Sequence, residues 1–180
     1  MRSHLIVTIT CPDRPGIVER ITEALVGHSA NWEESRFARL GGDFAGIVRL
    51  SVPSENAAAL TATLTAMADS EMAVLVKQSQ PPAANDWQQH RLCELRLSGA
   101  DHEGIVHKVA AYLASRSINV DTMETEVVCA PITATPLFQM VARIQVPPGL
   151  PIAGLTADLL QIGEELGVDI ELSPDATSAL

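Results

Sequence analysis

Cys11-Pro12-Asp13-Arg14-Pro15-Gly16-Ile17-Val18 is the stretch on which the reading of this chain turns, because one hydrophobic period ends in it and another begins. Upstream, Leu5, Val7 and Ile9 alternate with His4, Ile6 and Thr8 as in a half-buried strand. Downstream, Ile17, Ile21 and Leu25 recur at four-residue spacing, as on one face of a helix. The residues between them carry turn chemistry. Pro15 has a preset φ suited to a first helical turn, Asp13 offers an acceptor to an orphan helix N–H, and Gly16 allows another chain or a ligand to approach closely. Such a turn leaves amides and the positive end of the helix dipole facing outward, which suits a carboxylate or a phosphate. A plain capped strand-to-helix turn accounts for the same residues without a ligand.

The turn occurs twice. Gly16-Ile17-Val18 returns as Gly104-Ile105-Val106, an offset of 88 (104 minus 16), and the same offset carries Asp13 to Asp101, Ile21 to Val109, Leu25 to Leu113 and Asn31 to Asn119. Further on, Phe44, Val48, Leu50, Val52 and Pro53 return as Phe138, Ala142, Ile144, Val146 and Pro147 at an offset of 94 (138 minus 44), so the second copy is longer by six residues (94 minus 88) in its middle hairpin.

In the first copy, strands over 31–40 and 44–52 flank Gly41-Gly42-Asp43, a link of the kind that closes a hairpin. Phe44, Gly46, Val48, Leu50 and Val52 share one strand face. Pro53-Ser54 breaks that strand and caps a helix striped by Ala57, Leu60, Leu64 and Met67, and a strand over 73–77 closes the unit. The second copy reads as strand 91–97, helix 103–115, strands 119–129 and 137–146, a helix striped by Ile152, Leu155, Leu159, Ile162 and Leu166 that Gly167 ends, and a strand over 168–172. The expected fold class is therefore α+β: two ferredoxin-like βαββαβ units, each an antiparallel sheet with helices on one face. The expected domains are 1–78 and 90–173, joined by a proline-containing linker over 79–89 and followed by a tail over 174–180.

Composition narrows the function. With 47% hydrophobic residues in 180 and a mean hydropathy of +0.17, the chain can bury one large core or two small ones. A formal charge of −10 and a pI near 4.8, with no Lys/Arg cluster, argue against direct contact with nucleic acid. No apolar run nears the roughly 18 residues of a membrane span, and Met1-Arg2-Ser3-His4 leads into a strand too short for a signal peptide, so a cytoplasmic location is expected. Cys11, Cys93 and Cys129 lack C-x-x-C spacing and read as reduced, mostly buried thiols. The densest metal-type group is Asp101, His102, Glu103 and His107, but two histidines five apart on a helix point about 140° away from each other, so no metal is expected. Neither a G-x-S-x-G nor a phosphate-loop motif is present, and no catalytic residue or cofactor is expected. Trp32 and Trp87 read as packing a surface or junction. Glu33, Glu34, Arg36 and Arg39 form a solvated face or, alternatively, a partner-recognition face.

A tandem of βαββαβ units with Asp-Arg-Pro-Gly-Ile-Val at 13–18 resembles the ACT domain family, small regulatory modules that bind amino acids. Asn31-Trp32-Glu33-Glu34-Ser35-Arg36, with Ala38, Leu40-Gly41 and Phe44, narrows the resemblance to a family of two-ACT-domain transcriptional repressors of the glycine cleavage system. The resemblance implies an amino-acid effector held between two ACT units, the turn before the first helix on one side and the start of the following strand on the other. The implied ligand-binding residues are Asp13, Arg14, Pro15, Gly16, Ile17 and Asn31, with backbone amides over 14–17 taking the carboxylate and Asp13 or Asn31 the ammonium. Asp101, Gly104, Ile105 and Asn119 are the second-unit counterparts, although Asp101-His102-Glu103-Gly104 has neither the proline nor the arginine. Gly16 favours a small ligand such as glycine or serine. The implied function is an amino-acid-responsive co-regulator of glycine cleavage, not an enzyme, acting by protein contact on a transcription activator, with homodimer formation open to such a fold. A different class of reading is a ligand-independent structural module of tandem ACT domains.

Overall fold

Strand β1 (Arg2–Pro12) sets the layout of the first half of the chain, because Leu5, Val7, Ile9 and Cys11 are all buried on one side of it. The structure is a computed structural model and describes residues 1–79, 89–129 and 135–175. It divides into two compact units, Met1–Ala83 and Ala84–Leu180.

The first unit continues from β1 through α1 (Ile17–Gly27), β2 (Asn31–Leu40), β3 (Asp43–Pro53), a 3-10 turn at Ser54–Asn56, α2 (Ala57–Thr65) and β4 (Ala73–Ser79). The second repeats the order with β5 (Arg91–Ala100), α3 (Ile105–Ser115), β6 (Asn119–Cys129), β7 (Pro136–Val146), α4 (Ile152–Leu166) and β8 (Val168–Pro174). The sheets run β2-β3-β1-β4 and β6-β7-β5-β8, with every neighbour antiparallel. This is βαββαβ twice, as the repeat requires. The expected linker falls largely on 80–88, with Trp87, the six-residue gain largely on 130–134 and most of the tail on 176–180; these lie outside the described residues.

Each unit closes its own core. In the first, Leu5, Val7 and Ile9 of β1 and Val48, Leu50 and Val52 of β3 meet Ile17, Ile21 and Leu25 of α1 and Leu60 and Leu64 of α2. In the second, Leu95, Leu97, Met140 and Ile144 meet Val109, Leu113, Leu155 and Leu159. Each such aliphatic side chain contributes about 1.5–3 kcal/mol relative to exposure. Gly41 and Gly42 both have positive φ (61° and 95°), so a two-residue primed turn joins β2 to β3 with the hand that suits strand twist. Gly46 leaves the space in which the Phe37 ring lies, a ring that stacks on Phe44 at 5.2 Å and tilts against Trp32 at 5.8 Å. After α1 and α3 the chain is turned by Ser29 and Ser117, which sit at φ 56° and 55°, 88 positions apart (117 minus 29), so the duplication extends to backbone angles.

The helix starts differ from expectation. Pro53-Ser54 begins a 3-10 turn, no side chain caps α2, and α3 starts two residues later than its periodicity implied, because Glu103 and Gly104 belong to the turn.

One packing contact is counter-intuitive enough to test. Gly163 sits inside α4, where alanine is intrinsically favoured by about 1 kcal/mol. A Cβ there would lie 2.7 Å from the Val168 carbonyl oxygen, which belongs to the backbone of β8. Gly163→Ala should therefore destabilise the second unit by about 1–3 kcal/mol in urea unfolding; a neutral or stabilising result would show that α4 can lift off β8.

Candidate functional site

The chain reverses from β1 into α1 over residues 13–16, and Gly16 makes the reversal possible. It precedes the helix at φ 92° and ψ −4°, left-handed backbone that a Cβ disfavours. Gly104 repeats this at φ 92° and ψ −8° before α3. The positive φ alone accounts for glycine at both positions; among the described residues a Cβ on Gly104 would meet nothing within 4 Å, and one on Gly16 would meet Glu19 Oε2 at 3.9 Å.

Two further expectations change. Pro15 lies in the turn ahead of the helix, which starts at Ile17, and Asp13 does not cap α1; no side chain caps either α1 or α3. The Asp13 amide instead donates to the Gly42 carbonyl at 3.0 Å, and Arg39 Nη1 lies 3.4 Å from Asp13 Oδ2. Asp101 is tied down in the same way, its amide donating to the Pro136 carbonyl at 3.1 Å. The first intrahelical bonds run from the Arg20 amide to the Gly16 carbonyl and from the Lys108 amide to the Gly104 carbonyl, each 3.0 Å. The amides of residues 17–19 and 105–107 thus precede the helical ladder and are available to an acceptor. Ile17 and Ile105 offer only these amides, because their side chains are buried in the cores. Pro15 has no N–H to give.

Around this shared backbone the side chains differ. In the first unit Arg14 Nη1 reaches Glu71 Oε2 at 3.2 Å, an exposed pair on the rim of an open depression of about 430 Å³ lined by Thr10, Pro12, Asp43, Phe44, Asp69 and Glu71, among others. Asp69 is held below the usual carboxylate range by the amides of Glu71 and Met72, each donating at 2.8 Å. Glu19 stands at the mouth of α1, where its charge satisfies the dipole and competes with an incoming anion. The second unit has no acidic residue in the first turn of α3. Its counterpart of Arg14 is His102, whose Nδ1 lies 2.9 Å from the Glu103 carbonyl and Nε2 2.8 Å from the Leu166 carbonyl at the end of α4. Only the imidazolium donates from both nitrogens. The Glu103 bond, then the Leu166 bond and the Asp101 charge, raise its pKa above the ordinary value.

Asn31 and Asn119 occupy the other end of each sheet. Asn31 pairs with Ser51 and Ser51 with His4, whereas the turn follows Pro12, which pairs with Asp43. Eight residues of β1 separate those rows (12 minus 4), about 26 Å. Asn119 pairs with Gln145 and Gln145 with Leu92, while Asp101 follows Ala100, so the second unit has the same separation. Neither unit brings its turn and its strand-start asparagine together.

Sequence reading missed what stands beside each asparagine. A β-bulge between Trp32 and Glu34 leaves Glu33 unpaired in the ladder, where its Oε2 lies 3.3 Å from His4 Nδ1 and 3.2 Å from Arg49 Nε. A hydrogen bond from the Ser51 hydroxyl, with His4 and Arg49, holds this carboxyl below its usual range. The matching bulge between Val120 and Thr122 exposes Asp121, which accepts from the Gln145 amide at 3.5 Å, and Gln145 in turn accepts from Asn119 at 3.3 Å. The signal was present as Asn31-Trp32-Glu33 and Asn119-Val120-Asp121 at the common offset. Burial raises the Cys11 and Cys93 thiols, which disfavours the nucleophilic thiolate. Among the described residues, no group of His, Cys, Asp and Glu is placed to hold a metal, and no helix is long and apolar enough to cross a membrane.

Residues 3–78 match the model of the ACT domain. The chain is 27% identical over 124 residues to the glycine cleavage system transcriptional repressor of Escherichia coli (strain K12), a match covering 65% of this chain and 61% of that protein, hence less than two thirds of the relative. Among solved structures, an unknown protein from Galdieria sulphuraria is 33% identical, with a TM-score of 0.83 over 97% of this chain and 99% of that one. A candidate glycine cleavage system transcriptional repressor shares the fold at a TM-score of 0.68 and 21% identity, over 96% of this chain and 97% of that one.

The His102 contacts give a pH signature. Because its folded pKa is raised, the stabilisation is fully present below the unfolded value of about 6.5 and is lost as pH climbs through the folded value. Melting from about pH 5 to about pH 9 should show this loss for the native chain and not for His102→Gln, in which the other histidines remain. Identical pH profiles for the two proteins would mean that His102 is not charged in the folded state.

Proposed function

From the premise that residues 3–78 match the ACT domain and that the chain, with the same fold twice, resembles the glycine cleavage system transcriptional repressor, we propose that it is an amino-acid-responsive regulator that acts by contact with another protein. The observation that carries the reading is the uncapped helix start behind a left-handed glycine, present in both units. A small zwitterion such as glycine or serine places its carboxylate on the amides of residues 17–19, as the helix dipole favours. Its ammonium, only a few ångström away, then needs an acceptor at the same end of the sheet. Asp13 supplies one, and the carboxylate-lined depression that includes Asp43 supplies others. Asp101, Gly104, Ile105 and their amides are the second-unit equivalents.

Within its own unit each strand-start asparagine, Asn31 or Asn119, lies about 26 Å of strand from the turn, farther than one amino acid reaches. The charge of −10 supports action on a protein in preference to DNA, and a transcription activator of glycine cleavage genes is the partner that the resemblance favours. Effector and partner then change each other's affinity by the same factor.

A melting screen over the free amino acids tests the sensor. Ligand at about 100 times its dissociation constant should stabilise the fold by about 2.7 kcal/mol, and Asp13→Ala should reduce the shift. No selective shift with any amino acid overturns the sensor reading, whereas a shift that survives both Asp13→Ala and Asn31→Ala overturns only the placement of the site.

A further inference from the structure

Within each unit the sheet buries one face under its own helices, and the other face carries no element of that unit; an antiparallel face of this kind is ordinarily polar. In the second unit it is: the open-face rows read Glu124–Val141–Arg96–Glu171 and Glu126–Gln139–Ser98–Asp169 across β6, β7, β5 and β8. The first unit breaks the pattern. Its rows across β2, β3, β1 and β4 read Glu34–Arg49–Ile6–Lys77, Arg36–Ile47–Thr8–Leu75 and Ala38–Ala45–Thr10–Ala73. Ile47 is 45% and Leu75 66% exposed, in a field of alanine and threonine methyls. Nothing in the core requires these residues, since the core lies on the opposite side of the sheet.

We propose that this face is the docking surface for a second copy of the chain, first unit against first unit, sheet on sheet. The face is self-complementary. A two-fold axis parallel to the strands and midway between the sheets keeps each row at its level and reverses the strand order, so β2 of one copy lies over β4 of the other. Glu34 of each copy then faces Lys77 of its mate, twice, and the Arg36 stem lies over Leu75. Ile47, on the inner strand β3, is enclosed between the sheets, and Leu75, on the edge strand β4, is covered by the Arg36 stem; such sheets pack about 10 Å apart at about 30°.

The same operation on the second unit would set Glu124 against Glu171 and Glu126 against Asp169, like charges in two rows, and Arg143 against Glu94 in a third, so that face is less suited to pairing with itself than the first unit's. Four strands about 4.8 Å apart and about 20 Å long give a footprint of about 400 Å² per copy, hence about 800 Å² in total, the size of a weak, reversible association and not of an obligate one.

Sedimentation equilibrium of the full chain over roughly 5–500 µM should show a monomer–dimer equilibrium. Leu75→Glu, Lys77→Glu and Glu34→Lys should each raise its dissociation constant about tenfold or more. Lys77→Glu combined with Glu34→Lys should restore it, and Val141→Glu on the second unit should leave it unchanged. Urea unfolding of each variant confirms the native fold. A monomer throughout, a dimer indifferent to Leu75→Glu, a charge swap that does not recover association or a dimer weakened by Val141→Glu overturns the proposal.

Discussion

The constraint beneath everything else is that β1 and α1 must bury their apolar stripes against each other although they are consecutive in the chain. Leu5, Val7 and Ile9 can meet Ile17, Ile21 and Leu25 only if the backbone doubles back over residues 13–16. That reversal passes through a left-handed angle at Gly16, and the second unit makes it with the same angle at Gly104. A helix entered in this way begins without a side-chain cap. The geometry that closes the core is therefore also the geometry that turns amides outward, and the proposed carboxylate site follows from how the fold is assembled.

The architecture was legible because hydrophobic period and repetition are both written in residue types. Two copies of one pattern in register at offset 88 leave little freedom in element order, and the strands and helices were misjudged only near their ends. The site was less legible, for reasons that lie in register. Asn31 and Asp13 are close in sequence terms, both flanking α1, yet a strand runs the length of the sheet between their rows. The role of Asp13 as a cap was misread because Gly16, not Asp13, holds the position before the helix, and because the hairpin turn at Gly42 claims the Asp13 amide. The unpaired positions of Glu33 and Asp121 are not legible in the sequence because a bulge is a fault in period 2, and neither Trp32-Glu33-Glu34 nor Val120-Asp121-Thr122 carries an alternation that would mark it.

Backbone and side chains have diverged to different degrees between the units. Gly16 and Gly104, Ser29 and Ser117, and both strand-start bulges agree in conformation. The chemistry on that common frame does not. Arg14 pairs with Glu71 where His102 bridges two carbonyls; Glu33 is held by two basic residues and a hydroxyl where Asp121 meets one amide; Ile6 and Leu75 occupy the lattice points of Glu94 and Glu171. One template thus presents an apolar uncovered face and an acidic one, which is how a duplicated fold can give its halves different tasks.

The bulges in β2 and β6 carry one more consequence. Both strands lie at the rim of their sheets, with a row of main-chain donors and acceptors on which a stray strand from another molecule can pair and extend into a fibril. An extra residue near the start of each rim strand breaks the even ladder and adds local twist. It also places a charged carboxylate where an intruding chain would have to lie flat. A polypeptide rich in exposed strand is in this way guarded against runaway polymerisation by the same irregularity that sets an acid beside its asparagine.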